Sequence, residues 1–250
     1  MKVIPVPCYS DNYAYVLVDD ATNEAALVDP VEPSKVFKAV QAAGVQPTAI
    51  LTTHHHSDHA AGNLEVAKQI PGLQVYGGDS RIPEMTRQLR TGDQFAIGKL
   101  QVRAIETYGH TTSSISYYVE DPATGDRAVF TGDTLFVGGC GRLFEGSAQD
   151  MYESLNVKLA ALPDDTKVYT GHEYTKSNLR FALSVEPDNK ELQDKAARCA
   201  SMQCTMPSTI GEEKQTNPFM RVDVPQLQSV AKSTDPIQVL AAIRRMKDSF

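Results

Sequence analysis

The segment spanning residues 49–59, AILTTHHHSDH, constrains this chain more than any other. It begins as a short apolar, β-rich run and leads into AAGNLEVAKQI, whose pattern is helical, so the polar stretch between them is a strand-to-helix loop. Four of the six histidines of the chain lie on it. In extended backbone, side chains two residues apart share a face, so His54 and His56 converge on one point while His55 turns aside. Asp58 and His59 fall where the chain enters a helix beginning near Ala60, and they face a second point close by. Imidazole nitrogen and carboxylate oxygen are ligands that a borderline divalent ion such as zinc accepts, and no cysteine stands nearby to make a structural thiolate site. The spacing HxHxDH arises by chance in roughly two of ten thousand chains of this composition, which sets coincidence aside. An internal segment that includes an aspartate is not an expression tag either.

Four donors on one loop cannot complete two metal sites. His110 and His172 are the other two histidines; His110 lies in ETYGHTTSS, just after the strand-like run 100–105, and His172 in VYTGHEYT, just after 167–170. Asp133, in VFTGDTLF, follows the run 128–130 in the same way. Loops beyond strand ends are where α/β architectures gather functional residues. Singly, each of the three reads as an ordinary residue. Together with the loop they use every histidine except His55.

The remainder of the chain reads as an ordinary globular protein with a sizeable core. Strands are expected at 3–7, 14–18, 25–28, 49–51, 74–76, 100–105, 114–119, 128–130 and 167–170, and helices at 34–43 and 149–162. After residue 174 the strand-like runs cease, and helical patterns occupy 176–185, 189–202 and 236–247, with a loop-rich connection at 206–218. The change of texture suggests a smaller helical domain packed on an α/β domain. No run approaches the roughly 18 apolar residues of a membrane helix. The opening MKVIPVPCYSDNY has no secretory pattern, and Cys8, Cys140, Cys199 and Cys204 form no CxxC pair, so free thiols and a cytoplasmic location are expected. A net charge of −7 argues against nucleic acid as a partner.

The seven donors His54, His56, Asp58, His59, His110, Asp133 and His172 resemble the ligand set of the metallo-β-lactamase superfamily. Along the whole chain, DNYAYVLVD, LVDPVEP, LTTHHHSDHAAGN, FTGDTLFVGGCGRLFEG, GHEYTKSNLRFA, NPFMRV and the terminal RRMKDSF resemble its glyoxalase II (hydroxyacylglutathione hydrolase) branch. The resemblance implies an α+β fold, an αββα sandwich at 1–172 as the catalytic domain followed by a smaller helical, substrate-binding domain at 173–250, and two divalent ions per chain, zinc before iron or manganese. It implies that His54, His56 and His110 hold one ion and Asp58, His59 and His172 the other, with Asp133 bridging both. It also implies substrate contacts from Arg142, from Tyr174 and from Arg244 and Lys247. Phe144 stands where the family often has tyrosine. Around His110 the family's proline and second glycine are replaced by Tyr108 and Ser113.

The implied reaction is hydrolysis of S-(R)-lactoylglutathione and other S-(2-hydroxyacyl)glutathione thioesters to glutathione and a 2-hydroxy acid such as D-lactate, the second step of methylglyoxal detoxification. Two divalent ions, the carboxylates Asp58 and Asp133 and a bridging hydroxide leave one net positive charge, which lets a water ionise near neutral pH and stabilises an oxyanion. A glutathione thioester carries two carboxylates and one ammonium, so cations are wanted on an acidic protein, and Arg142, Arg244 and Lys247 can supply them. Read without the resemblance, Arg244 and Lys247 are helix C-terminal cations that complement the dipole. Expected partners are the small-molecule substrate alone, with no nucleic acid or membrane, and a monomer. The alternatives are another thioesterase or lactonase of the same fold, or a non-hydrolytic diiron redox protein. The last would place a glutamate where His56 stands and would need an attached flavin domain.

Overall fold

Asn12–Val18, NYAYVLV, shows no polar alternation because the strand is buried along its whole length. Strands covered on both faces read as continuous apolar runs. In the computed structural model, which describes residues 1–250, this strand belongs to the first of two units, Met1–Glu106 with Ser113–Gly132. The second unit is Thr107–Thr112 with Asp133–Phe250.

In the first unit, β1 (Lys2–Cys8), β2 (Asn12–Val18), β3 (Glu24–Val28), β4 (Gln46–Leu51), β5 (Gln74–Gly77) and β6 (Arg87–Gln88) form one sheet in that order. β1 to β3 are antiparallel, and β3 to β6 are parallel. The parallel half requires crossovers. These are α1 (Pro33–Ala43) between β3 and β4, then a short turn α2 (Ser57–Ala60) and α3 (Asn63–Gln69) between β4 and β5. α1 starts on Pro33 and ends at Gly44, whose φ of 68° is the left-handed stop the sequence suggests. Val36 and Val66 pack from these helices against Val16, Leu27, Ile50 and Val75 on one face of the sheet. The other face meets an antiparallel meander of β7 (Gln94–Ile97), β8 (Leu100–Glu106), β9 (Ile115–Glu120) and β10 (Arg127–Gly132). Tyr117 of β9 crosses the gap, its hydroxyl donating toward the carbonyls of Thr52 at 2.8 Å and Tyr76 at 3.1 Å. That contact fixes Thr52, the residue after β4 and two before His54.

The helix expected from Ala60 begins earlier, at Ser57, and is interrupted at Gly62. A Cβ on Gly62 would lie 1.9 Å from the carbonyl oxygen of Pro30, so only glycine lets this backbone close on the loop after β3. As a result Asp58 and His59 sit inside a helical turn and not on extended chain.

In the second unit, β11 (Leu135–Phe136) and β12 (Gly139–Cys140) form a tight hairpin. α4 (Ala148–Tyr152) opens on a capping box between Ser147 and Asp150 and runs on as a π-helical stretch, Glu153–Leu159. β13 (Lys167–Thr170) pairs with β14 (Ser208–Thr209), and α5 (Thr175–Val185), α6 (Lys190–Cys199), α7 (Ile210–Thr216), α8 (Pro225–Ala231) and α9 (Pro236–Asp248) complete the unit. The fold is thus the mixed α+β sandwich with a C-terminal helical region that the sequence suggested. The stretch 206–218 is more ordered than expected: it holds β14 and α7. Seven-residue IGEEKQT has only Ile210 as a large apolar residue, so no periodicity betrays it. Its order comes from Thr209 capping the Glu212 amide and from Glu213, buried against Lys195 at 2.5 Å. The other oxygen of Glu213 accepts from the Gly138 amide in the hairpin turn at 2.8 Å.

Removing one partner of a buried ion pair leaves an uncompensated charge and costs about 3–5 kcal/mol. Lys195→Ala is therefore expected to lower the free energy of unfolding by about that amount in urea titration, whereas Lys190→Ala, whose pair with Asp194 is exposed, should change it by under about 0.5 kcal/mol.

Candidate metal centre

β4 delivers His54, fully buried, and His56 stands at the start of α2 in extended conformation. Their ring nitrogens, His54 Nε2 and His56 Nδ1, lie 3.0 Å apart. The next turn brings His59, whose ring centroid is 4.3 Å from that of His54 and whose Nε2 is 3.8 Å from Asp58 Oδ2. Asn12 donates to both the backbone carbonyl (2.9 Å) and the carboxylate (3.2 Å) of Asp58 and so fixes that side chain. His55 turns aside as expected, its Nδ1 3.4 Å from Asp79 Oδ2. Asp79 is held by Arg81 and by the hydroxyl of Ser113, and these donors keep its carboxyl well below the usual range against the opposing effect of burial. Ser113, one of the departures around His110, thus has a partner of its own.

Asp29 carries no motif or spacing that marks it in the sequence. It follows β3 directly with φ at 45°, is buried, and accepts from the Thr53 amide (2.8 Å), the Thr53 hydroxyl (2.6 Å) and His59 Nδ1 (2.9 Å). The only hint in the sequence is an aspartate closing an apolar strand before a proline, LVDP.

In the second unit, His110 Nε2 and His172 Nε2 lie 3.6 and 3.4 Å from Asp133 Oδ2. His110 Nδ1 donates to the carbonyl of Arg142 at 2.9 Å. The ring of His172 stacks on Tyr174 at 4.7 Å between centroids, and His110 meets the edge of Phe144 at 5.2 Å. Tyr108 keeps its carbonyl bonded to Ser154 Oγ at 2.6 Å.

The donor chemistry fits divalent metal. An acceptor at Nδ1 obliges the imidazole to carry its proton there and to present a lone pair at Nε2. Asp29 imposes this on His59, and the Arg142 carbonyl imposes it on His110. An outer acceptor on one ring nitrogen is the usual companion of ligation through the other. All seven candidate donors belong to groups of three whose ligand atoms lie within 4.8 Å of one another.

A cavity of about 380 Å³ in the second unit is lined by His110, Asp133 and Tyr174 and also by Arg142, Arg244 and Lys247. Arg244 is buried, with Nη1 donating to the Cys140 carbonyl at 2.6 Å, Nη2 3.1 Å from Asp248, and its guanidinium over Phe219. Its placement is not that of a solvated cation complementing a helix dipole. Lys247 Nζ donates to Ser177 Oγ at 3.2 Å, and burial, together with Arg244, Arg180 and Arg142, pushes its pKa down. Cys140 is buried, and its thiol is pushed up to about 11 by desolvation, which excludes it as a nucleophile near neutral pH. Phe144 is exposed at the rim.

A sandwich carrying such histidine and aspartate donors defines a metallohydrolase of the metallo-β-lactamase type, and comparison with known proteins agrees. Residues 10–172 match the model of the metallo-beta-lactamase superfamily, and residues 173–250 match that of the hydroxyacylglutathione hydrolase C-terminus. The cytoplasmic hydroxyacylglutathione hydrolase of Arabidopsis thaliana is 46% identical over 257 residues, covering 100% of this chain and 99% of the relative. Among solved structures, ETHE1 from Myxococcus xanthus is 28% identical with a TM-score of 0.69, covering 100% of this chain and 99% of its own. TTHA1623 in a di-iron-bound form is 25% identical with a TM-score of 0.62, covering 86% and 99%. The chain belongs to the hydroxyacylglutathione hydrolase (glyoxalase II) family of that superfamily. No helix is long and apolar enough to cross a membrane.

Loss of an outer partner of a metal-binding histidine typically costs 10–100-fold in affinity. Asp29→Asn, which tolerates the same backbone, is expected to weaken metal retention by about that factor. Competition with a chromophoric chelator reads it directly.

Proposed function

We propose that this protein hydrolyses S-(R)-lactoylglutathione and other S-(2-hydroxyacyl)glutathione thioesters to glutathione and the free 2-hydroxy acid. The observation that carries the reading is the grouping of donors into His54, His56 and His110 on one side and Asp58, His59 and His172 on the other, each group within 4.8 Å. His54, His59 and Asp133 form a third such group, which suits Asp133 to a bridging position. The hydroxyacylglutathione hydrolase relative and the di-iron form of TTHA1623 support the same reading. The donor set accepts zinc, iron or manganese, with zinc the first choice.

When bound, two divalent ions supply Lewis acidity toward the thioester carbonyl and a water of lowered pKa. The chain's own residues do the rest. Asp29 and the Arg142 carbonyl hold His59 and His110 in the tautomer that ligates, and Asn12 orients Asp58. Asp58 and Asp133 each contribute one negative charge against two divalent ions, so the centre keeps an excess of positive charge for an oxyanion. The departing thiolate, with a thiol pKa of about 8.5, leaves without a proton, and no general acid has to be provided. Arg142 and Lys247 line the cavity where a carboxylate of the peptide is bound, Arg244 fixes the hairpin beside them, and Tyr174 braces His172.

Metal-loaded enzyme is expected to turn over lactoylglutathione, with His54→Ala and Asp133→Ala abolishing turnover and lowering metal content in the same preparations. Loaded wild-type protein with no thioesterase activity, or variants that retain it, would contradict the reading. Lys247→Ala is expected to raise KM about tenfold with little change in kcat, because the ammonium binds a part of the substrate that does not react. A lowered kcat at constant KM would place Lys247 elsewhere.

A further inference from the structure

The proposed substrate branches beside its reacting group. The thioester sulfur sits on the central residue of a tripeptide, so two arms diverge from the metal centre: a glycine ending in a single carboxylate, and a γ-glutamyl group ending in an α-amino-acid zwitterion. Two cavities of the second unit share lining residues. The first, of about 380 Å³, contains Arg142, Arg244 and Lys247 and, apart from Asp133, no carboxylate. Within it the buried Nε of Arg244 has no protein acceptor. This suits a lone carboxylate. The second, of about 530 Å³, shares Arg142, Phe144 and Arg244 with the first and adds Arg245 and Asp248. It therefore presents cations and one anion together.

Asp248 is the only acidic residue lining that second groove. The closest approaches in its two ion pairs, with Arg244 Nη2 at 3.1 Å and Arg142 Nε at 3.6 Å, are both to Oδ1. Its side chain is 41% exposed. Arg245 is exposed one turn earlier on α9 and makes no ion pair with the protein. Residues three apart on a helix are neighbours, so the carboxylate of Asp248 and the guanidinium of Arg245 are presented together. A purely cationic groove would repel an ammonium. A carboxylate and a guanidinium side by side match the opposite charges of a free α-amino acid.

Building on the glutathione reading, we infer that the groove lined by Asp248 and Arg245 is a specificity subsite for the α-amino-acid end of the substrate, with Asp248 pairing its ammonium and Arg245 its carboxylate. The subsite binds a part of the substrate remote from the reacting carbonyl, so equilibrium binding reads it directly.

The test is equilibrium binding of S-methylglutathione and of its N-acetyl derivative, which lacks the ammonium, to the metal-loaded enzyme by calorimetry. Acetylation is expected to weaken binding to the wild-type protein about three- to tenfold, the range of a partly exposed charge-assisted contact. Asp248→Asn should bring the ratio to about one, and Asp248→Glu should retain most of it. Arg245→Gln should weaken S-methylglutathione about threefold while leaving S-methylcysteinylglycine, which lacks the γ-glutamyl arm, unchanged. This arm decides the matter if Asp248→Asn unfolds. The inference is overturned if the wild-type protein does not discriminate between the two thioethers, if Asp248→Asn weakens both equally, or if Arg245→Gln weakens the shortened peptide as much. Lactoylglutathione turnover is measured alongside. Turnover without discrimination removes the subsite and keeps the reaction, whereas discrimination that depends on Asp248 without turnover keeps the subsite and removes the reaction.

Discussion

One buried carboxylate holds the first unit's contribution to the metal centre in place. Asp29 accepts three hydrogen bonds, from the amide and hydroxyl of Thr53 and from His59 Nδ1. These donors lie 24 and 30 residues further along the chain, so a single side chain joins the end of β3, the end of β4 and the turn α2. A carboxylate with this little solvent is tolerable only because its oxygens are met by donors. The same bonds decide which nitrogen of His59 carries a proton and hence which one can ligate. Gly62 is part of this arrangement, since the close approach of its backbone to Pro30 brings α2 against the loop that begins at Asp29.

The second unit solves a comparable problem with different residues. The hairpin Leu135–Cys140 lies between Asp133 and Arg142, two residues that must be held still if a metal and a substrate are to meet. Glu213 binds the Gly138 amide, Asn217 donates to the carbonyls of Phe136 (3.2 Å) and Gly139 (2.9 Å), and Arg244 donates to that of Cys140. Four backbone groups of a six-residue hairpin are thus satisfied by buried side chains from elsewhere in the unit. Such networks are rigid when complete and costly when broken. The C-terminal helices therefore serve the centre from a distance, and Arg244 belongs to the scaffold of the cavity as much as to its wall.

Much of this was legible in advance. Strands such as β2, β8 and β13 announced themselves because unbroken or alternating apolar runs have few other solutions in water. The donors on the β4–α2 loop were legible because HxHxDH is rare and chemically specific, and His110, Asp133 and His172 because each follows a strand. Other features left no trace. β7 is short and half-exposed, and α7 has one large apolar residue, so neither shows periodicity; both are ordered by contacts with segments far away in sequence. Asp29 and Asn12 escaped for the same reason. An aspartate or asparagine beside a strand has no distinctive spacing, and its importance lies in what folding places within 3 Å of it.

Residue chemistry and local periodicity, which need no neighbours, already specified an α/β-patterned chain with a histidine and aspartate donor set and a helical C-terminal region, and the family resemblance added the sandwich. Three-dimensional packing was needed to decide the direction in which each donor points, the nitrogen on which His59 and His110 carry their protons, and the change of Arg244 from a surface cation into a buried clamp. It also set Asp248 and Arg245 on one wall of a groove. Those properties depend on distances between residues tens of positions apart, and hydrogen bonding and burial act over a few ångströms regardless of separation along the chain.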